Sequence, residues 1–490
     1  MKKIFVLSLF VLSFSASYSQ RIVNKIYLMT LTTVQMDSLL NANGLGILTV
    51  AYNINYAIDI YRLDYNTVNY DSTPIMASGM MAVPRDTMCR FPMAEYCHGT
   101  ITNKLGAPSY LTGQEPIIGM VLASIGYVVS EPDYLGLGDG PGLNPYQHAQ
   151  TEASASIDML RAVREYCDSA NIHRNGQLFL MGYSQGGHAC MATHRTIQNQ
   201  LHGEFVVTAA VPMSGAYDMS GVMINTMLSD TPYSQPGYLA DLVVSWGPIY
   251  HLYDSIQQVF LPPYDTTLPP LLYSGVNTTN DLNNAMPDVP KLTFTQSELD
   301  TFTNDPTARV RQALVDNDVY DWLPLCPVKI LFCKADQYVP YMNSVVAINK
   351  LRQNGCAQCD TMDVNPLLNH VPCAQFAILE AKDFFDIFMH IDSCTIDTTI
   401  TTTGINGQIK NAIIAVYPNP ARDILTIETY FSDQTLSAAM YEADGRIVAE
   451  TGLINGINTI SLSEMSTGIY ILKITGSNGS SRISKVVVER

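Results

Sequence analysis

Residues 177–188 read QLFLMGYSQGGH, a short apolar run that climbs into Gly182-Tyr183-Ser184-Gln185-Gly186 and then into a helix-like segment. A serine between two glycines at the end of a strand is either a plain tight turn or a nucleophile lifted on a sharp elbow. The elbow needs a strand before it and a helix after it, and both are legible here. Its glycines let neighbouring backbone approach closely, and the turn raises the hydroxyl at the carboxyl edge of the sheet. A serine hydroxyl is a poor nucleophile alone. It needs a base, and the base needs a third group to hold it.

Sites built on such an elbow run serine, acid, histidine along the chain. Of nine histidines, only His251, His370 and His390 lie well beyond the helix after Ser184 and the following strand. His251 has no strand before it. His390 falls at the far end of the last helix, where a structural role suits it better. His370, in NPLLNHVPC, is expected in a loop just before that helix, facing the elbow. The acid should follow a strand and precede this histidine. Asp336, in ILFCKADQYVP, does so, whereas Asp318, Asp321 and Asp360 follow no clear strand. Two backbone N–H donors are needed for a developing oxyanion: Gln185, directly after the nucleophile, and Thr100, in the loop His98-Gly99-Thr100 after an earlier strand. His98 itself precedes the serine and reads as structural.

The surrounding chain alternates short apolar strands with helical stretches. Strands are expected at 74–84, 91–97, from 127 into the glycine-rich loop ending at 140, at 177–184, 205–215, from 327 and, weakly, at 361–365. Helices are expected at 117–126, 151–167, 188–200, near 341–353 and at 372–389. Such alternation marks a mostly parallel sheet covered on both faces. A Tyr- and Pro-rich insertion at about 218–325 interrupts it, helical in parts, with both tryptophans, Trp246 and Trp322.

At 490 residues the chain should hold more than one domain. Its net charge of −17 argues against nucleic acid and anionic membranes as partners. The N-terminus carries Lys2 and Lys3, an apolar run from Ile4 to Phe14 and the small residues of Ser17-Tyr18-Ser19, with Gln20 as the expected mature start. Residues 1–19 thus read as a secretory signal, and the mature protein as not transmembrane. Export offers the ten cysteines an oxidising route. The CxxC formed by Cys356 and Cys359 has no second such pair, so a disulfide or buried thiols fit better than metal or redox chemistry. Cysteine pairing stays open. Residues 395–411 form a Thr-rich linker, and 412–490 show short alternating strands broken by Asn-Gly, Asp-Gly and Asn-Pro turns, an all-β sandwich.

Two resemblances follow. The region from about 74 to 390, within a domain of 20–394, resembles an α/β-hydrolase of the secretory lipase type. The motifs that carry it are HGT at 98–100, EPDYLGLG at 131–138, GYSQGG at 182–187, ADQYVP at 335–340 and NH at 369–370. The insertion matches that family's helical cap in position only. The C-terminal stretch resembles the sorting domain of the type IX secretion system of Bacteroidota, through Val416-Tyr417-Pro418-Asn419-Pro420, Asp444-Gly445-Arg446, Gly468-Ile469-Tyr470 and Lys485-Val486-Val487-Val488. That resemblance implies passage across the outer membrane by the secretion machinery, then release or surface attachment. The leading expectation is a secreted serine ester hydrolase acting on acyl esters. Ser184, Asp336 and His370 are its expected catalytic residues, with Thr100 and Gln185 at the oxyanion and no metal or organic cofactor required. The alternatives are a secreted peptidase or aminopeptidase on the same fold and a non-catalytic surface adhesion protein.

Overall fold

The computed structural model describes residues 21–392 and 412–489, except 53, 87, 432–434, 443 and 478–480. The signal segment, the Thr-rich linker and Cys394 lie outside the described residues. The larger domain is built on nine strands: β1 (Ile22–Leu31), β2 (Ile58–Val68), β3 (Pro74–Pro84), β4 (Phe91–Cys97), β5 (Val128–Pro132), β6 (Arg174–Tyr183), β7 (Ala209–Met213), β8 (Val328–Phe332) and β9 (Cys359–Asp363). They lie in the order β1-β2-β3-β5-β4-β6-β7-β8-β9. The first three pair antiparallel, and every pairing from β5 to β9 is parallel.

The inner parallel strands are buried on both faces, which is why they read as apolar runs, whereas the edge strand β9 is mostly half-exposed. Along β6, Leu178 and Leu180 join one core while Phe179, Met181 and Tyr183 join the other. The first core is closed by the helices Ala149–Ala170, Gln185–Gln200 and Met342–Gln353. The second is closed by Thr33–Ala42, Glu115–Ser124 and His370–Phe385. The strand expected from 127 is β5, which ends at Pro132. The glycine-rich remainder is a loop in which Tyr134, Gly136 and Gly138 all take positive φ. The strands β1 and β2 were not legible. They form the antiparallel edge, with β1 largely exposed.

Between β7 and β8 the chain leaves the sheet to build a cap of short helices, the longest being Gly237–Tyr250. It has its own apolar core around Tyr233, Tyr238, Trp246 and Phe260, to which Tyr146 and Val339 of the main domain contribute. Tyr273, by contrast, is 60% exposed.

Seven further strands form the C-terminal domain: β10 (Ala412–Tyr417), β11 (Ile424–Phe431), β12 (Leu436–Tyr441), β13 (Ile447–Leu453), β14 (Gly456–Ser461), β15 (Gly468–Gly476) and β16 (Ser481–Val488). They make two antiparallel sheets, β10-β11-β14 and β13-β12-β15-β16, around a separate core. The second sheet rests on the main domain. Ile471 is buried with the core that includes Phe376 and Leu379, and Lys485 Nζ donates to the carbonyl of Val364. Among the described residues no helix is long and apolar enough to cross a membrane.

Candidate active site

The parallel strands point their carboxyl ends at one edge of the sheet, where ligands of open α/β folds bind. β4 ends there in His98-Gly99-Thr100, β6 in Ser184, β8 in the turn bearing Asp336, and β9 in the connection to His370.

Ser184 is the N-cap of the helix Gln185–Gln200, with φ 61° and ψ −122°. A non-glycine residue in that region is strained, as expected where a side chain is held for chemistry. The strain is locked in by close backbone packing. Ser184 N–H donates to the carbonyl of Met213 on β7 at 3.0 Å. A Cβ on Gly186 would lie 1.8 Å from the carbonyl oxygen of Cys97, and one on Gly182 would lie 2.2 Å from that of Gly186. The GYSQG spacing is therefore required by two strand ends and a helix meeting at the elbow.

Ser184, Asp336 and His370 are brought together. Ser184 Oγ–H donates to His370 Nε2 at 2.9 Å, and His370 Nδ1–H donates to Asp336 Oδ2 at 2.7 Å. The second oxygen of Asp336 accepts the N–H groups of Tyr338 and Val339, both at 2.9 Å. All three residues are buried. His370 is not in a loop: it is the first residue of the helix His370–Phe385, directly after Asn369 at the N-cap position. The turn starts earlier than its sequence suggested because outside partners hold it. Gln337 Oε1 accepts His370 N–H at 3.1 Å, and Tyr183 O–H donates to the carbonyl of His370 at 2.6 Å. A disulfide between Cys333 and Cys373 joins the turn after β8 to the first turn of that helix, three residues before the acid and three beyond the base. The rings of Tyr183 and Tyr338 flank the imidazole at 5.0 and 4.9 Å. His390 lies beyond that helix, beside Asp392 at 3.5 Å, and His251 ends a cap helix, so neither approaches Ser184 Oγ within bonding distance.

The His98-Gly99-Thr100 loop covers the elbow. A Cβ on Gly99 would meet the Tyr183 carbonyl at 3.6 Å and Glu115 Oε1 at 2.9 Å. His98 is structural, as expected: its ring nitrogens reach the carbonyls of Gly99 and Asp133, and its ring lies 4.2 Å from that of Tyr134. Tyr134 O–H in turn donates to the His98 carbonyl at 3.2 Å. Thr100 Oγ1 lies 3.2 Å from the Tyr146 hydroxyl, and the Tyr146 ring stands 5.8 Å from that of the cap residue Tyr238. Gln185 opens its helix, so its N–H has no acceptor within that helix.

Sequence reasoning gave no role to Tyr146, which belongs to no motif, or to Gln337 and Tyr338, which lie within ADQYVP beside the acid. It also left cysteine pairing open. The structure pairs Cys333 with Cys373 and Cys356 with Cys359, and among the described residues no cluster of His, Cys, Asp and Glu has the makings of a metal site.

Residues 103–217 match the Secretory lipase family, and residues 415–489 match the secretion system C-terminal sorting domain. No curated protein sequence matches. Among solved structures, a Legionella pneumophila protein described as a hydrolase is 27% identical, covers 75% of this chain and 98% of its own, and superposes with a TM-score of 0.69. The rice cell wall degrading esterase LipA from Xanthomonas oryzae, in a ligand-bound form, is 26% identical over 75% of this chain and 99% of its own, with a TM-score of 0.67. Candida antarctica lipase A in its closed state, 16% identical over 76% and 83% of the two chains, shares the fold with a TM-score of 0.57. The chain thus has the α/β-hydrolase fold of lipases and esterases, is similar to secretory lipases over residues 103–217, and ends in a sorting domain that directs export across the outer membrane to the cell surface or beyond.

Proposed function

We propose that the protein is a serine ester hydrolase that works through a covalent acyl-enzyme. The observation that carries this is the unbroken chain of hydrogen bonds from Ser184 Oγ through His370 to Asp336 on a strained elbow. Ser184 Oγ attacks the ester carbonyl while His370 Nε2 takes its proton. The oxyanion is held by the N–H groups of Thr100 and Gln185. His370 then protonates the leaving alkoxide, and a water repeats the sequence to release the acid. Asp336 fixes the imidazole tautomer and stabilises its charged form. No step calls for a metal or an organic cofactor.

The cap favours an ester with an apolar acyl group. Tyr338 lies against His370, and Tyr146, beside Thr100, carries the cap residue Tyr238, so aromatic surface stands next to the site. An aminopeptidase would instead need ionised carboxylates for a substrate ammonium. The cap carboxyl of Asp241 is buried, and desolvation pushes its pKa up to about 8, which suits it poorly to that role. Nitrophenyl esters of rising chain length, assayed beside aminoacyl-nitroanilides, test the assignment. Esters are expected to turn over, with Ser184→Ala and His370→Ala each losing roughly a millionfold. Preference for anilides would overturn it.

A further inference from the structure

Beneath the elbow lies a set of buried polar groups that this reaction does not use. Glu152, on the helix Ala149–Ala170, is 1% exposed, and both Gln185 and His188 are fully buried. Gln185 Nε2–H donates to Glu152 Oε1 at 2.9 Å, and His188 Nδ1 meets Glu152 Oε2 at 2.6 Å. On its other side His188 Nε2 reaches the carbonyl of Asn317 at 2.9 Å. A carbonyl oxygen only accepts, so Nε2 carries a proton. The contact between Nδ1 and the carboxylate therefore holds a second proton, shared between imidazole and carboxyl. Asn317 is itself fixed: its Oδ1 accepts the N–H of Ala149, where the Glu152 helix begins, and its Nδ2 donates to Tyr250 O–H of the cap, both at 2.8 Å.

A buried ion pair contributes little net stability, and apolar residues of similar volume often replace one at no cost. The two helices already have an apolar contact through Ala153, Ala155, Ala189 and Ala192, which lie in one core. Yet the carboxylate is spent on the side chain of Gln185, the residue whose main-chain N–H faces the expected oxyanion, and on His188 one turn later. Gln185 is the first residue of its helix and has no capping side chain. Its rotation is set by the elbow on one side and by Glu152 on the other.

We infer that Glu152, braced by His188, is a positioning residue that holds the Gln185 N–H at the oxyanion. This rests on the reading of Ser184 as nucleophile and Gln185 as oxyanion donor. Glu152→Leu keeps the volume and removes both acceptors. Glu152→Gln keeps every bond, because its carbonyl oxygen accepts from Gln185 and its amide donates to the Nδ1 of a neutral His188. Gln185→Ala breaks the same bond from the other side and leaves the main-chain N–H in place.

The test measures turnover of nitrophenyl butyrate at 25 °C and inhibition by an alkyl trifluoromethyl ketone, whose serine adduct carries an oxyanion. Misplacing a reacting group by about 1 Å costs on the order of a hundredfold. Glu152→Leu and Gln185→Ala should therefore each lower kcat about thirty- to a hundredfold at nearly constant KM. The ketone's inhibition constant should rise by the same factor as kcat/KM falls. The double variant should be no worse than either single one, and Glu152→Gln should stay within about threefold of wild type. Should Glu152→Leu not fold, Gln185→Ala alone carries the same test. If both variants melt earlier but keep wild-type kcat and ketone affinity, the role is structural and the inference is wrong. That result beside an inactive Ser184→Ala would leave the hydrolase reading standing, whereas an active Ser184→Ala would remove both.

Discussion

Gly186→Ala is the smallest change that reports on how the elbow is built. The added Cβ would lie 1.8 Å from the carbonyl oxygen of Cys97, 2.6 Å from its carbonyl carbon and 2.8 Å from the carbonyl oxygen of His98. Ordinary contact begins near 3.4 Å. All three atoms belong to backbone, so no rotamer relieves the clash. The helix start or the end of β4 must move by about 1.5 Å, and these two segments carry Gln185 and the Thr100 loop. Overpacking of this kind costs about 1–3 kcal/mol, and a shift of this size at the site about a hundredfold in rate. Gly203→Ala is the control, because nothing lies within 4 Å of the added carbon. Thermal unfolding and nitrophenyl ester turnover of the purified variants are the assays. Gly186→Ala should melt several degrees early and lose at least tenfold in kcat, while Gly203→Ala stays at wild type. Wild-type turnover and melting for Gly186→Ala would refute the argument that backbone proximity dictates the glycine.

Asp336→Asn keeps an oxygen for the Tyr338 and Val339 N–H groups but turns an amide toward His370 Nδ1. It should impose the wrong tautomer and cost on the order of ten-thousandfold in kcat, and a loss below tenfold would contradict the assigned role. Replacing Cys333 and Cys373 together by Ala opens a loop of 40 residues, worth about 4 kcal/mol of unfolding free energy, and should lower kcat by freeing the acid from the base. Unchanged denaturant midpoint and kcat would dismiss the clamp. Burial pushes the Glu95 carboxyl from an ordinary 4.5 up to about 8, so the folded state keeps a proton that the unfolded chain has released between those values. Stability should therefore fall as pH rises through that window. Glu95→Gln should reduce the fall by on the order of 3 kcal/mol in denaturant titrations at pH 5 and pH 9, and an equal fall in both proteins would exclude this cause. Ending the chain at about residue 411 uncovers Phe376 and Leu379, so the shortened hydrolase should keep its activity, melt a few degrees lower and remain in the periplasm. Efficient export would remove the sorting role.

What the sequence made legible was local. Strands buried on both faces leave unbroken apolar runs, and the elbow leaves its glycines at fixed spacing, so Ser184 and the β6-turn-helix around it could be placed directly. Asp336 followed from its position after a strand and His370 from chain order. The antiparallel edge β1-β2 left no such trace: β1 is mostly exposed and mixes polar with apolar residues. The start of the last helix was misjudged because Gln337 and Tyr183, far from His370 in sequence, secure its first turn. The Glu152–His188 pair was invisible for the same reason, since its members lie 36 residues apart and its carbonyl partner another 129 away. Several of the cap's rings, Trp246 and Phe260 among them, serve the cap's own core, which composition could not distinguish from a substrate wall.

The central claim is that Ser184 becomes covalently acylated. Wild-type protein mixed with nitrophenyl butyrate, quenched in acid within the first turnovers and digested, should carry one butyryl group, an added mass of about 70 Da, on the peptide containing Ser184. Ser184→Ala should show neither the adduct nor the nitrophenol burst. A butyryl group on another residue, or a Ser184→Ala protein that still releases nitrophenol at the wild-type rate, would contradict the account.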